Sequence, residues 1–225
     1  MRKLLLASCL VLAVAIAAPK TASAAPILLN LQGVSDPTLR AEVVLAYDPL
    51  LGQLSLDIMN TSANYDPRLT GFAFNLPSAI SGIGSFTSTP AGWTYTYDRN
   101  DINTPGNFGL YDAAGLTGPN FNGGSPNLGI PIGSTFSFLF RFTGSGLGSL
   151  NELSFVNLLS YDAPGGPNES EQTFIARFQR VGPTGSGSDV AIPRSISQVP
   201  EPGTLLLGGL GFLGVALRRK TAAKR

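Results

Sequence analysis

The sequence contains no histidine. Histidine is the commonest general base and the commonest metal ligand at neutral pH, so its absence excludes a Ser-His-Asp hydrolase and a histidine-rich zinc site. The single cysteine, Cys9, lies in an N-terminal segment that we expect to be removed. This excludes a disulfide framework and a thiolate metal site from the mature chain.

Lysine is absent from residues 25–199, because the four lysines all lie nearer the ends of the chain, at Lys3, Lys20, Lys220 and Lys224. This excludes Schiff-base chemistry from the body, and no glycine-rich phosphate loop followed by lysine occurs. Residues 25–199 contain seven arginines and thirteen acidic residues, which gives them a net charge of −6. Nucleic acids and anionic lipids bind clustered basic residues, so this acidic body argues against both partners.

Only the carboxylates remain as catalytic candidates. A glycosidase needs two of them on either side of the scissile bond, and the sequence offers no way to pair them. Most lie at expected turns, for example Asp48, Asp66, Asp112 and Asp162, where an aspartate side chain bonds nearby backbone N–H groups. We therefore expect a protein that is not an enzyme, with a carboxylate-dependent glycosidase as a distant alternative.

Residues 1–24 are typical of a secretory signal peptide. Positive charge at Arg2 and Lys3 precedes an apolar stretch over residues 4–18. Ala22 and Ala24 place small side chains at the two positions that a signal peptidase reads. We predict a signal helix that is cut off after Ala24 and takes no part in the fold.

The body is rich in glycine, proline, asparagine, serine and threonine, with short apolar runs between turn signals. This pattern predicts an all-β fold. The expected strands are residues 27–31, 41–47, 53–60, 70–76, 93–98, 135–143, 153–159 and 173–180.

The clearest strand is 135–143, where four phenylalanines alternate with other residues and therefore project from one face of the pleat. These are Phe136, Phe138, Phe140 and Phe142. A stripe of this kind usually packs in a core rather than forming an exposed platform for sugars. Residues 54–58 and 72–74 alternate in the same way. We predict two antiparallel sheets packed face to face, a jelly-roll-like β-sandwich over residues 25–181.

Residues 99–134 are dense in asparagine, glycine and proline, and we predict a long loop region there with room for one short strand. Loops of this length are often functional. If the body binds a ligand, we expect the surface to lie here, together with Trp93, Tyr95 and Tyr97. The alternative is that Trp93 fills the core while the loop merely connects strands.

Calcium is the one metal that the pattern allows. The oxygen-bearing side chains of Asp98, Asn100, Asp101 and Asn103 are spaced in a way that suits a hard cation. The segment lacks the glycine and the distal glutamate of an EF-hand loop. We otherwise expect no metal and no cofactor.

The segment after the body begins as Gly182-Pro183-Thr184-Gly185-Ser186-Gly187-Ser188, a composition typical of a flexible connection. We predict a polar linker over residues 182–198, although residues 189–192 have the pattern of a last edge strand. A short apolar run then extends from Thr204 to Leu217 and ends at Arg218, Arg219 and Lys220.

The apolar run has fourteen residues. As a helix it spans about 21 Å, which is short of the roughly 30 Å hydrocarbon core of a bilayer. The basic cluster after it favours a cytoplasmic C-terminus with the body outside. We therefore predict a short transmembrane helix suited to temporary retention.

Residues 199–225 resemble the PEP-CTERM sorting signal of bacterial exosortase substrates. The resemblance rests on Val199, Pro200, Glu201 and Pro202, the Leu/Gly-rich run that follows Gly203, and the terminal basic cluster. It implies a Gram-negative exported protein that is held in the inner membrane for a time, cut by an exosortase near Pro200–Pro202, and then placed at the cell surface or outside the cell. The family is associated with exopolysaccharide and biofilm formation.

These observations together lead us to expect an exported, non-enzymatic protein of the bacterial surface or extracellular matrix. The alternative is a carbohydrate-binding module for the exopolysaccharide. The sequence does not decide between these two hypotheses.

Overall fold

The structure is a computed structural model that describes residues 25–161 and 171–199. In these two stretches nearly all of the regular secondary structure is strand, which confirms the all-β prediction. The strands are β1 (Ile27–Gly33), β2 (Arg40–Asp48), β3 (Gln53–Asn60), β4 (Arg68–Phe74), β5 (Ile80–Thr89), β6 (Thr94–Asn103), β7 (Leu110–Leu116), β8 (Thr135–Gly144), β9 (Phe174–Val181) and β10 (Gly187–Gln198). One helical turn, α1 (Leu153–Val156), and 3-10 turns at Pro126–Leu128 and Leu147–Ser149 complete the described elements.

All ten strands join in one antiparallel sheet, in the order β5-β8-β3-β2-β1-β10-β9-β4-β7-β6. The structure therefore has one sheet where we predicted two, and the expected face-to-face packing arises because this sheet curls over a shared core. The two edge strands, β5 and β6, lie close to each other. The Tyr97 hydroxyl on β6 donates a hydrogen bond to the Ser81 carbonyl oxygen on β5 over 3.0 Å. The rings of Phe86 and Tyr95 lie 5.5 Å apart across the same gap. Side chains therefore nearly close the sheet.

The main core is aromatic, as the alternation in β8 predicted. Phe138, Phe140 and Phe142 are buried and Phe136 is half-buried. Phe72 on β4 meets them from the opposite half of the sheet, with its ring centroid 4.7 Å from that of Phe138. Contact between β4 and β8, which are far apart in the strand order, is what holds the curled sheet together.

A second apolar cluster lies on the other face of the sheet, over β4, β7, β9 and β10. Phe108 and Phe121 come from the predicted loop region and pack there with Tyr111 and Ile175. The region contains one complete strand, β7, as we allowed, and also the last five residues of β6; β7 is buried and lies between β4 and β6. Much of the predicted loop therefore covers the sheet.

Two strand predictions need correction. Residues 153–159, predicted as a strand, instead contain α1, because the Asn151 side chain accepts a hydrogen bond from the Ser154 N–H over 3.1 Å and starts a helical turn. Strand β5 was not predicted at all. It is an exposed edge strand with two glycines, so its sequence has little of the alternation that marks a half-buried strand.

The polar linker predicted over residues 182–198 is wrong for residues 187–198. They form β10, which lies in the middle of the sheet between β1 and β9. The glycine-rich residues before it form the turn of the β9–β10 hairpin, closed by a 3.0 Å hydrogen bond from the Gly185 N–H to the Gly182 carbonyl oxygen. The folded body therefore extends to Gln198.

The expected signal helix and the expected tail helix both fall outside the described residues. Among the helices of residues 25–161 and 171–199, none has the length and apolar character required to cross a bilayer.

Candidate functional site

The two ends of the described chain lie side by side at one end of the β1–β10 pair. Ile27 is paired with Gln198, and the Val199 N–H donates to the Pro26 carbonyl oxygen over 2.7 Å. The predicted signal-peptidase residues Ala22 and Ala24 precede this point in the sequence. Both predicted cleavage sites are therefore within a few residues of the same end of the sheet.

Most residues of the predicted sorting signal lie outside the described part of the chain. Of that signal only Val199 is described, and it is half-buried directly after β10. The others, for which the prediction remains untested, are Pro200, Glu201, Pro202, Thr204, Leu217, Arg218, Arg219 and Lys220. No linker separates Val199 from the last strand, so the sorting signal begins where the fold ends.

The last part of β10 is bonded on one side only. Residues 187–191 pair with β9, whereas residues 192–198 have β1 as their only partner among the described strands. Arg194 to Gln198 are exposed. Residues 187–190 in turn pair only with β9 among the described strands, so most of β10 is bonded on one side, by β9 at its start and by β1 at its end.

The aromatic residues predicted as a ligand surface have different positions. Trp93 is only 6% exposed, its ring centroid lies 4.8 Å from that of Phe138, and its indole N–H donates to the Leu128 carbonyl oxygen over 3.0 Å. This corrects its placement on a binding surface and supports the alternative that it fills the core. Tyr97 is half-buried, whereas Tyr95 is exposed and packs on Phe86 at the seam between the edge strands.

The oxygen-bearing residues Asp98, Asn100, Asp101 and Asn103 are exposed on β6, around an irregularity where β6 has three more residues than its partner β7 between two paired positions. Within the described residues, histidine, cysteine and carboxylate side chains form no group of three or more that suits a metal ion. The calcium hypothesis remains an untested prediction.

Asp112 and Arg99 fix this irregularity to the body. The buried Asp112 carboxylate accepts hydrogen bonds from the N–H groups of Leu76 and Asn100, over 2.9 and 2.8 Å, and lies 3.3 Å from the Arg99 guanidinium. The guanidinium also donates to the carbonyl oxygens of Leu76, Pro77 and Ile80. These contacts connect β6 and β7 with the connection between β4 and β5, so we assign a structural role to the ion pair of Arg99 and Asp112.

A cleft that sequence reasoning missed lies at the opposite end of β10. We call it the Arg177 cleft; it has a volume of about 360 Å³ and is lined by Pro126, Arg177, Gln179, Arg180, Ser186 and Ser188, together with glycines. Two arginines on β9, one serine of the hairpin turn and one serine at the start of β10 therefore line one space. Two arginines in one cleft stand out in a body whose net charge is −6.

Among the described residues, Arg177 is buried without a counter-ion. It is 9% exposed, and no carboxylate of the described residues lies within 4.0 Å of its guanidinium. Its contacts are long, at 3.4 Å each, to the Asn122 side-chain oxygen and the Ser188 hydroxyl. Burial lowers the pKa of the guanidinium because it penalises the charged form.

A weak signal for Arg177 exists in the sequence. It follows Ile175 by two residues in β9 and therefore points to the same face of the sheet as that buried residue. An arginine in an apolar position of a strand requires an acceptor, but the sequence does not say which segment supplies it.

Comparison with protein-family models identifies the PEP-CTERM protein-sorting motif at residues 198–220. Neither the curated proteins nor the solved structures contain a match to the chain. The motif begins at the last residue of β10, where the geometry also places the end of the body. The chain therefore carries a PEP-CTERM sorting motif, which implies export, transient anchoring in a membrane and processing by an exosortase.

Proposed function

We propose that this chain is a non-enzymatic component of the bacterial surface or extracellular matrix, associated with exopolysaccharide in a biofilm. The observation that carries the proposal is the sorting motif, which follows a folded β body without a linker. A small rigid body delivered in this way suits a structural or binding role outside a Gram-negative cell.

The hydrogen bonds that the acidic side chains accept support a non-enzymatic role. The buried Glu152 carboxylate accepts a hydrogen bond from the Tyr47 N–H over 3.0 Å. Asp189 accepts from the N–H groups of Ser35 and Asp36, and Asp48 accepts from that of Leu50. These carboxylates, like Asp112, bond the backbone of loops and strand ends. Such contacts are what turn chemistry requires of aspartate and glutamate.

The geometry of β10 suits a body that stands away from the membrane. The strand ends at the motif, so an anchored tail would hold the β1–β10 end nearest the bilayer. β10 begins at Gly187, eleven residues before Gln198, which is about 36 Å along an extended strand, and the β9–β10 turn precedes it. The far end of the body is thus free to meet other molecules.

The test replaces Pro200 and Glu201 together by alanine in the producing bacterium. Because the motif is the proposed recognition element, we expect the variant to accumulate in the membrane fraction at its unprocessed size, whereas the parent chain is released. Immunoblots of fractionated cells measure both outcomes.

A matched control changes Pro131 and Glu171 to alanine, the same two residue types within the body. This control should be processed like the parent. Normal processing and release of the Pro200→Ala, Glu201→Ala variant would contradict the sorting role of the motif.

A further inference from the structure

We propose that the Arg177 cleft binds the carboxylate of an acidic sugar, such as a uronate unit of an exopolysaccharide. The inference rests on the proposed function, because the matrix is the source of the ligand, and it selects the glycan-binding alternative over a purely structural role. The two proposals are tested by separate measurements, since binding is measured on purified protein and sorting is measured in cells.

The first argument is the unmet bonding capacity of Arg177. A guanidinium has five N–H donors, and within the described part of the chain those of Arg177 make only the two long contacts at 3.4 Å given above. Its Nε is buried with no partner among the described residues. A buried charge is costly unless it is paired. A carboxylate supplies two oxygens in the geometry that the planar guanidinium matches.

A second buried polar atom that lacks a hydrogen-bond partner among the described residues belongs to a residue of the same cleft. The side-chain oxygen of Gln179 is buried and accepts no hydrogen bond from the described residues. A sugar hydroxyl is a suitable donor for it. The Ser186 and Ser188 hydroxyls both donate and accept, so they also suit the hydroxyls of a sugar ring.

Arg180 adds positive charge at the mouth of the cleft. Its guanidinium is 3.4 Å from Asp66, but the same carboxylate oxygen is already 3.0 Å from Arg68. One carboxylate thus faces two arginines, and with Arg177 the local charge is about +2. This charge favours an anion over a neutral sugar.

The charges around Arg177 indicate the side from which an anionic ligand reaches its guanidinium. The guanidinium also borders a smaller cavity of about 250 Å³, lined in part by Val34, Phe108 and Asp189. The Asp189 carboxylate disfavours an anion there. The described residues that line the Arg177 cleft include no carboxylate, and its volume falls at the lower end of the range of small-molecule sites, about 300–1,000 Å³.

The experiment measures binding by isothermal titration calorimetry at low salt. The protein is the full chain in a neutral detergent, and the probes are D-glucuronate, D-glucose and acetate. We expect saturable binding of glucuronate that is tighter than that of either glucose or acetate and weakens with added salt. Acetate that binds as tightly as glucuronate would contradict a sugar site, and absence of saturable glucuronate binding would overturn the proposal.

Arginine-to-glutamine variants test the location. Arg177→Gln should weaken glucuronate binding roughly tenfold or more, because a bond to a charged group is lost. Arg141→Gln, the same change at an exposed position on β8, should leave the affinity unchanged. Arg180→Gln should weaken binding by a smaller factor, and it tests the cleft even if Arg177→Gln fails to fold. Equal affinities for the parent, Arg177→Gln and Arg180→Gln would refute this site.

Discussion

Replacing Phe72 by alanine should lower the free energy of unfolding of the body by about 3–5 kcal/mol, the range found when a buried phenylalanine is truncated. The side chain is fully buried, and its ring centroid lies 4.7 Å from that of Phe138, 5.8 Å from that of Trp93 and 5.9 Å from that of Phe174. Its removal leaves a cavity where the two halves of the curled sheet meet. Urea unfolding followed by tryptophan fluorescence measures the loss.

The control for Phe72 is Leu50→Ala, because the Leu50 side chain is 83% exposed. This change should alter the free energy of unfolding by no more than about 0.5 kcal/mol. A similar cost for both variants would show that β4 and β8 do not share the described core.

The second large effect is expected at Asp112. The change Asp112→Ala removes an acceptor from the N–H groups of Leu76 and Asn100 and leaves the Arg99 guanidinium without its carboxylate. Breaking a buried pair in this way typically costs about 3–5 kcal/mol. Arg99 is partly exposed and water can partly solvate it, so we expect a loss near the lower end, about 3 kcal/mol, in the same unfolding assay.

Asp101→Ala is the matched control, because Asp101 is an exposed aspartate in the same irregular part of β6. It should change the stability by no more than about 0.5 kcal/mol. If Asp112→Ala were equally mild, the Asp112 carboxylate would not fix β6 to the β4–β5 connection.

The sequence predicted best where a strand has one buried face. In β8 the phenylalanine alternation gave both the strand and its core face, and β3 was predicted with the bounds Gln53–Asn60 that the structure has. The burial of such a strand can be predicted from its own sequence, because every second residue is apolar and contacts the core. Trp93 shows the limit, since its burial depends on Phe72 and Phe138, which come from distant strands.

The strands that were missed or misassigned have partners that the local sequence does not reveal. The C-terminal part of β10 pairs with β1, more than 160 residues earlier in the chain, and most of its side chains are exposed. Its polar composition therefore resembles that of a linker. In β5 the residues that pack on the core, Ile80, Ile83 and Phe86, are three positions apart because the strand has two register shifts, so its sequence lacks the alternation of period two.

The sorting motif and the Arg177 cleft differ in the same way in how far the local sequence predicts them. The sorting motif is a contiguous stretch and can be recognised in the sequence alone. The Arg177 cleft is assembled from β9, the hairpin turn before β10 and the loop at Pro126. Arg177 and Pro126 are 51 positions apart in the chain, so only the folded sheet brings them together.

The central claim is that an exported β body is cut free at the end of the β1–β10 pair. The intact mass of the protein released by the producing cells tests it most directly. We expect a chain that begins at Ala25 and ends between Val199 and Pro202, so that all ten strands are retained. A released chain with the mass of all 225 residues, or one that ends inside β10 before Gln198, would contradict the account.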